Sequence, residues 1–290
     1  MSKQSSMTRR MLIGGAALAV LAGSVFLGAG PAAAQSTLEQ AREQGYIRVG
    51  FANEAPYGYA TADGQLTGES PEVAKAILER IGIPEVDGVL TEFGSLIPGL
   101  QAGRFDMVAA GMFITPERCE EVAFSEPSYG IGQAFLVEEG NPHDIVDYSS
   151  IAENSDLTLA VMAGAVEAGY AEQAGVPDDQ VTVLPDQSSL LSAVRSGRAD
   201  AAALTAPSIA EMAEQDGVES TEPFGEVAGQ SVQGHGGFAF RQEDTDLLEA
   251  FNAELAEFIG SEEHIALVTP FGFGEGYLPN KTTEELCAGE

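Results

Sequence analysis

The sequence predicts an α/β protein made of two lobes. Strand and helix signals alternate along the chain, which is the rhythm of βαβ units with parallel pairing. The rhythm breaks at Gly140-Asn141-Pro142 and then restarts. A short motif from the first half also returns in the second.

Tyr46-Ile47-Arg48-Val49-Gly50-Phe51 reads as a buried strand. Ser70-Pro71 predicts a helix start, with serine at the N-cap and proline in the first turn. Val73, Ala74, Ile77, Leu78 and Ile81 then recur at helical spacing, and Gly82 ends the run. Residues 89–93 predict a second strand, 96–102 a helix, 105–110 a third strand and 133–138 a further one. After the break, strands are expected at 157–162, 181–184 and 199–204, with helices after Gly164, over 188–196 and after Pro207. A strand at Phe238-Ala239-Phe240-Arg241 and a long helix over 245–259 follow.

Ser95-Leu96 with Gly103-Arg104-Phe105-Asp106 recurs as Ser189-Leu190 with Gly197-Arg198-Ala199-Asp200, with six identities in seventeen aligned positions. The repetition gives Asp106 and Asp200 a structural role, satisfying backbone groups at strand starts. The first lobe is expected over 35–138 and 238–290 and the second over 139–237. Crossings near 137–141 and 234–238 would form a hinge, and the cleft between lobes is the default ligand site.

Residues 1–34 read as an export signal. Arg9 and Arg10 precede an apolar run over 11–26, and Ala32-Ala33-Ala34 offers a cleavage site. Thr8-Arg9-Arg10-Met11-Leu12-Ile13 has the form of a twin-arginine signal, and an ordinary secretory signal is the alternative. No lipid anchor is expected, because Ser24 stands where a lipidated cysteine would be.

The formal charge is −32, and losing Lys3, Arg9 and Arg10 with the signal takes it to −35. Such a surface repels nucleic acid and anionic lipid. With 44% hydrophobic residues, the charge does not mean disorder. It suits strong brine, where the Debye length falls to about 3 Å at 1 M salt. Cys119 and Cys287, in an oxidising compartment, suggest one disulfide tying the C-terminal tail to the first lobe; two free thiols are the alternative. His143, His235 and His264 are scattered, so no metal site and no cofactor is expected.

Gly68-Glu69-Ser70-Pro71-Glu72-Val73-Ala74, Gly103-Arg104-Phe105-Asp106-Met107, Ile114-Thr115-Pro116-Glu117-Arg118 and Phe124-Ser125-Glu126-Pro127, in this order, resemble the polar amino acid family of periplasmic binding proteins. The resemblance spans nearly the whole chain after the signal. It implies a type II periplasmic-binding fold, a monomer that closes on a small zwitterion and delivers it to the permease of an ABC transporter. In that family the arginine of Thr-x-x-Arg, here Arg118, grips the ligand carboxylate, since a planar guanidinium matches a carboxylate with two parallel bonds. The family's aspartate for an α-ammonium is replaced here by Thr205, which offers no countercharge.

Tyr57, Phe93 and Phe113, at three successive strand ends, would form an aromatic box for a delocalised cation. With Glu54, Arg118 and Glu167 they resemble the cleft of the ectoine- and hydroxyectoine-binding subgroup. The resemblance implies that Glu54 and Glu167 accept from the ligand's amidinium, while backbone N–H groups after Gly164 or Phe113 support its carboxylate. Two further readings stay open: a binder of a polar or basic amino acid or of a betaine, and a periplasmic dehydratase of the same fold. No nucleophile–base pair supports an enzyme, so none is expected.

Overall fold

The computed structural model describes residues 35–290, which form one compact unit. The export signal expected at 1–34 lies outside the described residues. Among the described residues no helix is long and apolar enough to cross a membrane.

Two sheets carry the molecule, and both follow one plan. The first runs Glu85–Leu90, Tyr46–Phe51, Met107–Phe113, Gly234–Phe240, Ala123–Phe124, and Tyr129–Ile131 also pairs with Gly234–Phe240. The second runs Val181–Leu184, Leu159–Met162, Ala201–Thr205, Gln133–Glu138, Val218–Ser220. In each, the first three strands are parallel and the fourth is antiparallel to the third. The duplicated motif sits at matching places. Asp106 accepts from the backbone N–H of Arg48 at 3.3 Å, and Asp200 from that of Thr158 at 2.7 Å. Gly103 and Gly197 both turn in the left-handed region, at φ 67° and 65°.

The antiparallel strand of each sheet is the one delivered by a crossing. Gln133–Glu138, assigned by the sequence to the first lobe, pairs only in the second sheet. The first crossing therefore falls at Gly132, between Tyr129–Ile131 and Gln133–Glu138, and not near 137–141. The chain is back in the first sheet by Gly234, four residues before the expected boundary. A continuous apolar run shows that a strand exists and says nothing of which sheet receives it.

Several element ends also shift. The second strand is Glu85–Leu90, so Phe93 opens a short 3-10 turn instead of ending a strand. The first long helix, Glu69–Arg80, has Gly68 at its N-cap; the Ser70 hydroxyl instead donates to Glu69 and accepts from the Gly111 N–H. Its stripe of Val73, Ala74, Ile77 and Leu78 is fully buried on the first sheet, each large side chain contributing about 1.5–3 kcal/mol.

The C-terminal helix Thr283–Ala288 closes the chain against Pro116–Glu121. Cys119 and Cys287 are joined across 168 residues of sequence. One apolar cluster includes Phe93, Met112 and Ile114 from the first lobe and Ala134, Met162 and Leu204 from the second, so the lobes are in contact.

Candidate functional site

Strand ends and the turns that follow them line a cleft between the two sheets, as topology requires of α/β folds. A narrow cavity with about 20 Å³ of free space lies there, bounded by Glu54, Phe93, Gly111, Phe113, Arg118, Met162, Ala165, Val166, Glu167, Leu204 and Thr205.

Four hydrogen bonds hold the lobes together around it. The Arg118 Nη2 donates to Gly164 O at 2.9 Å, and the Ser208 hydroxyl donates to Glu54 Oε1 at 2.7 Å. The Gln187 amide both donates to Ala55 O, at 2.7 Å, and accepts from the Ala55 N–H, at 3.0 Å. Gly94 and Gly164 touch backbone to backbone, and Gly164 adopts φ 78°. This is a closed clamshell.

Arg118 rises from the short helix Pro116–Glu121, started by the Thr115 side chain, which accepts from the Arg118 N–H at 3.3 Å. Its Nη1 donates to Phe113 O at 2.7 Å, and its guanidinium lies 5.5 Å from the centre of the Phe93 ring. Burial lowers its pKa, and the charge of Glu167 opposes that.

Glu54 and Glu167 face the same space from opposite lobes. Glu54 lies in a tight bridge with Gly58. Burial pushes its carboxyl up to about 8; the Ser208 hydroxyl and Arg118 pull it down, and Glu167 pushes it up. Glu167, in the first turn of Glu167–Gln173, is likewise raised by burial, to about 7, with Arg118 and Gln133 opposing. Oriented with its nitrogen toward acceptors, the Gln133 amide donates to Leu204 O at 3.0 Å and to Glu167 Oε1 at 2.9 Å. Both carboxyls therefore hold their protons up to about neutral pH, and a bound cation would favour their ionised forms.

Among the described residues, Glu167 Oε2, Thr205 Oγ1, Tyr57 Oη and Tyr129 Oη are buried side-chain atoms without a hydrogen-bond partner. Such atoms cost about 1–3 kcal/mol each when orphaned, and Glu167 and Thr205 both line the cavity.

Of the residues singled out by sequence, Glu54, Phe93, Phe113, Arg118, Glu167 and Thr205 come together on the cavity wall. Tyr57 does not. Its ring is 1% exposed and packs behind the wall, 5.3 Å from Tyr129 and 5.4 Å from Phe273 between ring centres. Gly164 stands one step back, with its carbonyl taken by Arg118. Gln133 and Ser208, which hold the two carboxylates, were not anticipated. The available signal was a glutamine opening an otherwise apolar strand and a serine just past Thr205-Ala206-Pro207.

The model of the bacterial extracellular solute-binding proteins, family 3, matches residues 47–274. The chain belongs to that family. It is 40% identical over 296 residues to a probable amino-acid ABC transporter periplasmic-binding protein of Sinorhizobium fredii, covering 99% of this chain and 98% of that one. Among solved structures it resembles EhuB in complex with hydroxyectoine, with a TM-score of 0.80, 38% identity and coverage of 88% of this chain and 98% of the other. It also resembles the ancestral amino acid-binding protein AncCDT-1, a precursor of cyclohexadienyl dehydratase, with a TM-score of 0.71, 30% identity and coverage of 82% and 99%. This member of the family is thus a two-lobed extracellular solute-binding protein whose cleft presents one arginine, two carboxylates and two aromatic rings.

Proposed function

We propose that this protein captures ectoine or hydroxyectoine outside the cytoplasm and hands it to an ABC permease. The observation that carries the reading is that Glu54, Glu167 and Arg118 line one cavity, with Thr205 where an α-ammonium would need an acid. A cyclic amidinium has two N–H donors and a spread positive charge. Glu54 and Glu167 accept from it, and the Phe93 and Phe113 faces attract it at about 0.5–2 kcal/mol per ring once water is excluded. Arg118 takes the ring carboxylate, exchanging neutral carbonyl acceptors for a charged one. The likeness to EhuB with hydroxyectoine supports the same ligand class.

Charge favours this ligand over a betaine, which has no N–H donor for Glu54 or Glu167. It also favours it over a standard amino acid, whose compact ammonium would meet Thr205. No step of bond-making is assigned. The site holds no nucleophile paired with a base, and the protein acts by closing on its ligand. Delivery follows export under the segment 1–34, and the acid-rich surface suits a saline exterior, where compatible solutes are taken up.

Thermal-shift profiling tests the reading. Ectoine should raise the unfolding midpoint of residues 35–290, and glutamine, arginine and glycine betaine should not. The gain should vanish in Arg118→Ala and in Phe113→Ala. A larger gain with an amino acid than with ectoine would overturn the ligand assignment.

A further inference from the structure

The arginine that faces the cleft and the cysteine that anchors the tail are adjacent residues of one short helix. That helix, Pro116–Glu121, has no fully buried residue of its own; it meets the apolar core through Cys119 and through Val122 at its end. Thr115 caps its start. Its end is tethered by amides, Gln101 Nε2 to Glu121 O at 3.1 Å and Gln242 Nε2 to Glu120 O at 3.0 Å, and both bonds are exposed. A further tether is covalent, from Cys119 to Cys287 on Thr283–Ala288.

The tail helix, by contrast, is well anchored. Leu286 is buried in the apolar cluster that also takes in Phe93, and the Thr283 side chain and N–H bond to Ser125 O and Glu126. Its Gly289 lies against Pro116, so the tail touches the first turn of the site helix as well.

We propose that the Cys119–Cys287 disulfide positions Arg118: the tail helix holds the site helix at the depth where the guanidinium meets the ligand carboxylate. The inference rests on the reading that Arg118 grips that carboxylate. Neither cysteine touches the cavity, so both are positioning residues. Reduction removes the covalent tether and leaves the cap, the two exposed amide bonds, the packing of Val122 and the guanidinium's own bonds to backbone carbonyls, and the arginine then samples positions out of register with the cage.

A double-mutant cycle tests this. Ectoine affinity of residues 35–290 is measured by titration calorimetry for the wild type, Cys119→Ala/Cys287→Ala, Arg118→Lys, and the combination. Removing the disulfide should weaken binding about tenfold in the wild type, and by less than about twofold once Arg118→Lys has already lost the two-pronged grip. The thermal midpoint should fall equally in both backgrounds. Equal weakening in both backgrounds, or none in either, would overturn the proposal and leave the disulfide a general staple.

Should the cysteine variant fail to fold, the wild type is equilibrated with dithiothreitol, which supplies the two electrons and two protons that open the bond to two thiols. Reciprocity then requires saturating ectoine to favour the disulfide by the same factor, about tenfold, and no shift would refute the coupling. A wild type that binds glutamine or arginine instead of ectoine overturns the ligand assignment, and the same cycle decides this inference on that amino acid. A wild type that binds none of the three overturns both.

Discussion

At the scale of single residues, burial of Glu54 and Glu167 makes stability depend on pH. Both are buried, with pKa values of about 8 and about 7, and Glu69 behind the wall is also raised by burial, to about 7. The folded protein therefore retains protons that the unfolded chain loses near pH 4.5. That stabilisation is complete below the ordinary carboxylate range and disappears as pH rises through about 7–8. His235 and His264, lowered by burial, act oppositely and only as pH falls below the ordinary histidine range.

The ligand-free unfolding midpoint should accordingly drop between pH 6 and pH 8.5. Glu54→Gln should flatten the drop and raise the midpoint at pH 8.5, by about 2–4 °C per kcal/mol relieved. The same variant should weaken ectoine binding by about 10–100-fold, the loss of one charge-assisted bond. Ectoine affinity of the wild type should rise through this pH window, because an amidinium needs ionised acceptors. A midpoint that climbs from pH 6 to 8.5, or a Glu54→Gln variant that binds normally, would refute this account of the pair.

At the scale of elements, the strand Gly234–Phe240 explains how the aromatic wall fits. Gly234 and Gly236 are two apart and so share a face of the strand. A Cβ at Gly234 would collide with the Phe113 ring, and one at Gly236 with the Tyr129 ring. Gly234→Ala should therefore cost about 1–3 kcal/mol of stability by overpacking and push Phe113 into the cleft. Chemical denaturation would read the first effect and ectoine titration the second; an unchanged midpoint and affinity would show that the ring has room.

This element also marks the limit of sequence reading. Ile47, Val73, Ile77 and Leu78 declared strand and helix through periodicity, and the Ser95–Asp106 and Ser189–Asp200 echo declared two lobes of one plan. Gly234-His235-Gly236-Gly237 carries no period of its own, because its meaning lies in rings brought from strands more than a hundred residues earlier. The same holds for Tyr57. Its place before a cleft edge suggested the box, and only packing against Tyr129 and Phe273 puts it behind the wall. Arg118 was legible through the Thr-x-x-Arg motif, Thr205 as a departure from the family's aspartate, and Glu54 through its place in the loop after the first strand. Gln133 and Ser208 were not, since the partner of Ser208 lies in the opposite lobe and those of Gln133 on a strand and a helix distant in sequence.

At the scale of the whole molecule, the close approach of the two lobes includes a glycine pair. Gly164 of the second lobe has φ 78°, and a side chain there would come within 2.5 Å of Gly94 Cα in the first. Gly164→Ala should hold the lobes apart and strain its own backbone by about 1 kcal/mol. Small-angle scattering on residues 35–290 should show compaction of the wild type by ectoine and none in this variant. Equal compaction in both would mean that the lobes close by another contact.

The most direct test of the central claim is calorimetric titration of residues 35–290, in high salt, with ectoine and separately with glutamine. The account predicts saturable ectoine binding that Arg118→Ala abolishes, and no measurable heat of binding from glutamine. Glutamine binding without ectoine binding would keep the family and the clamshell, and would contradict the pairing of Glu54 and Glu167 with an amidinium.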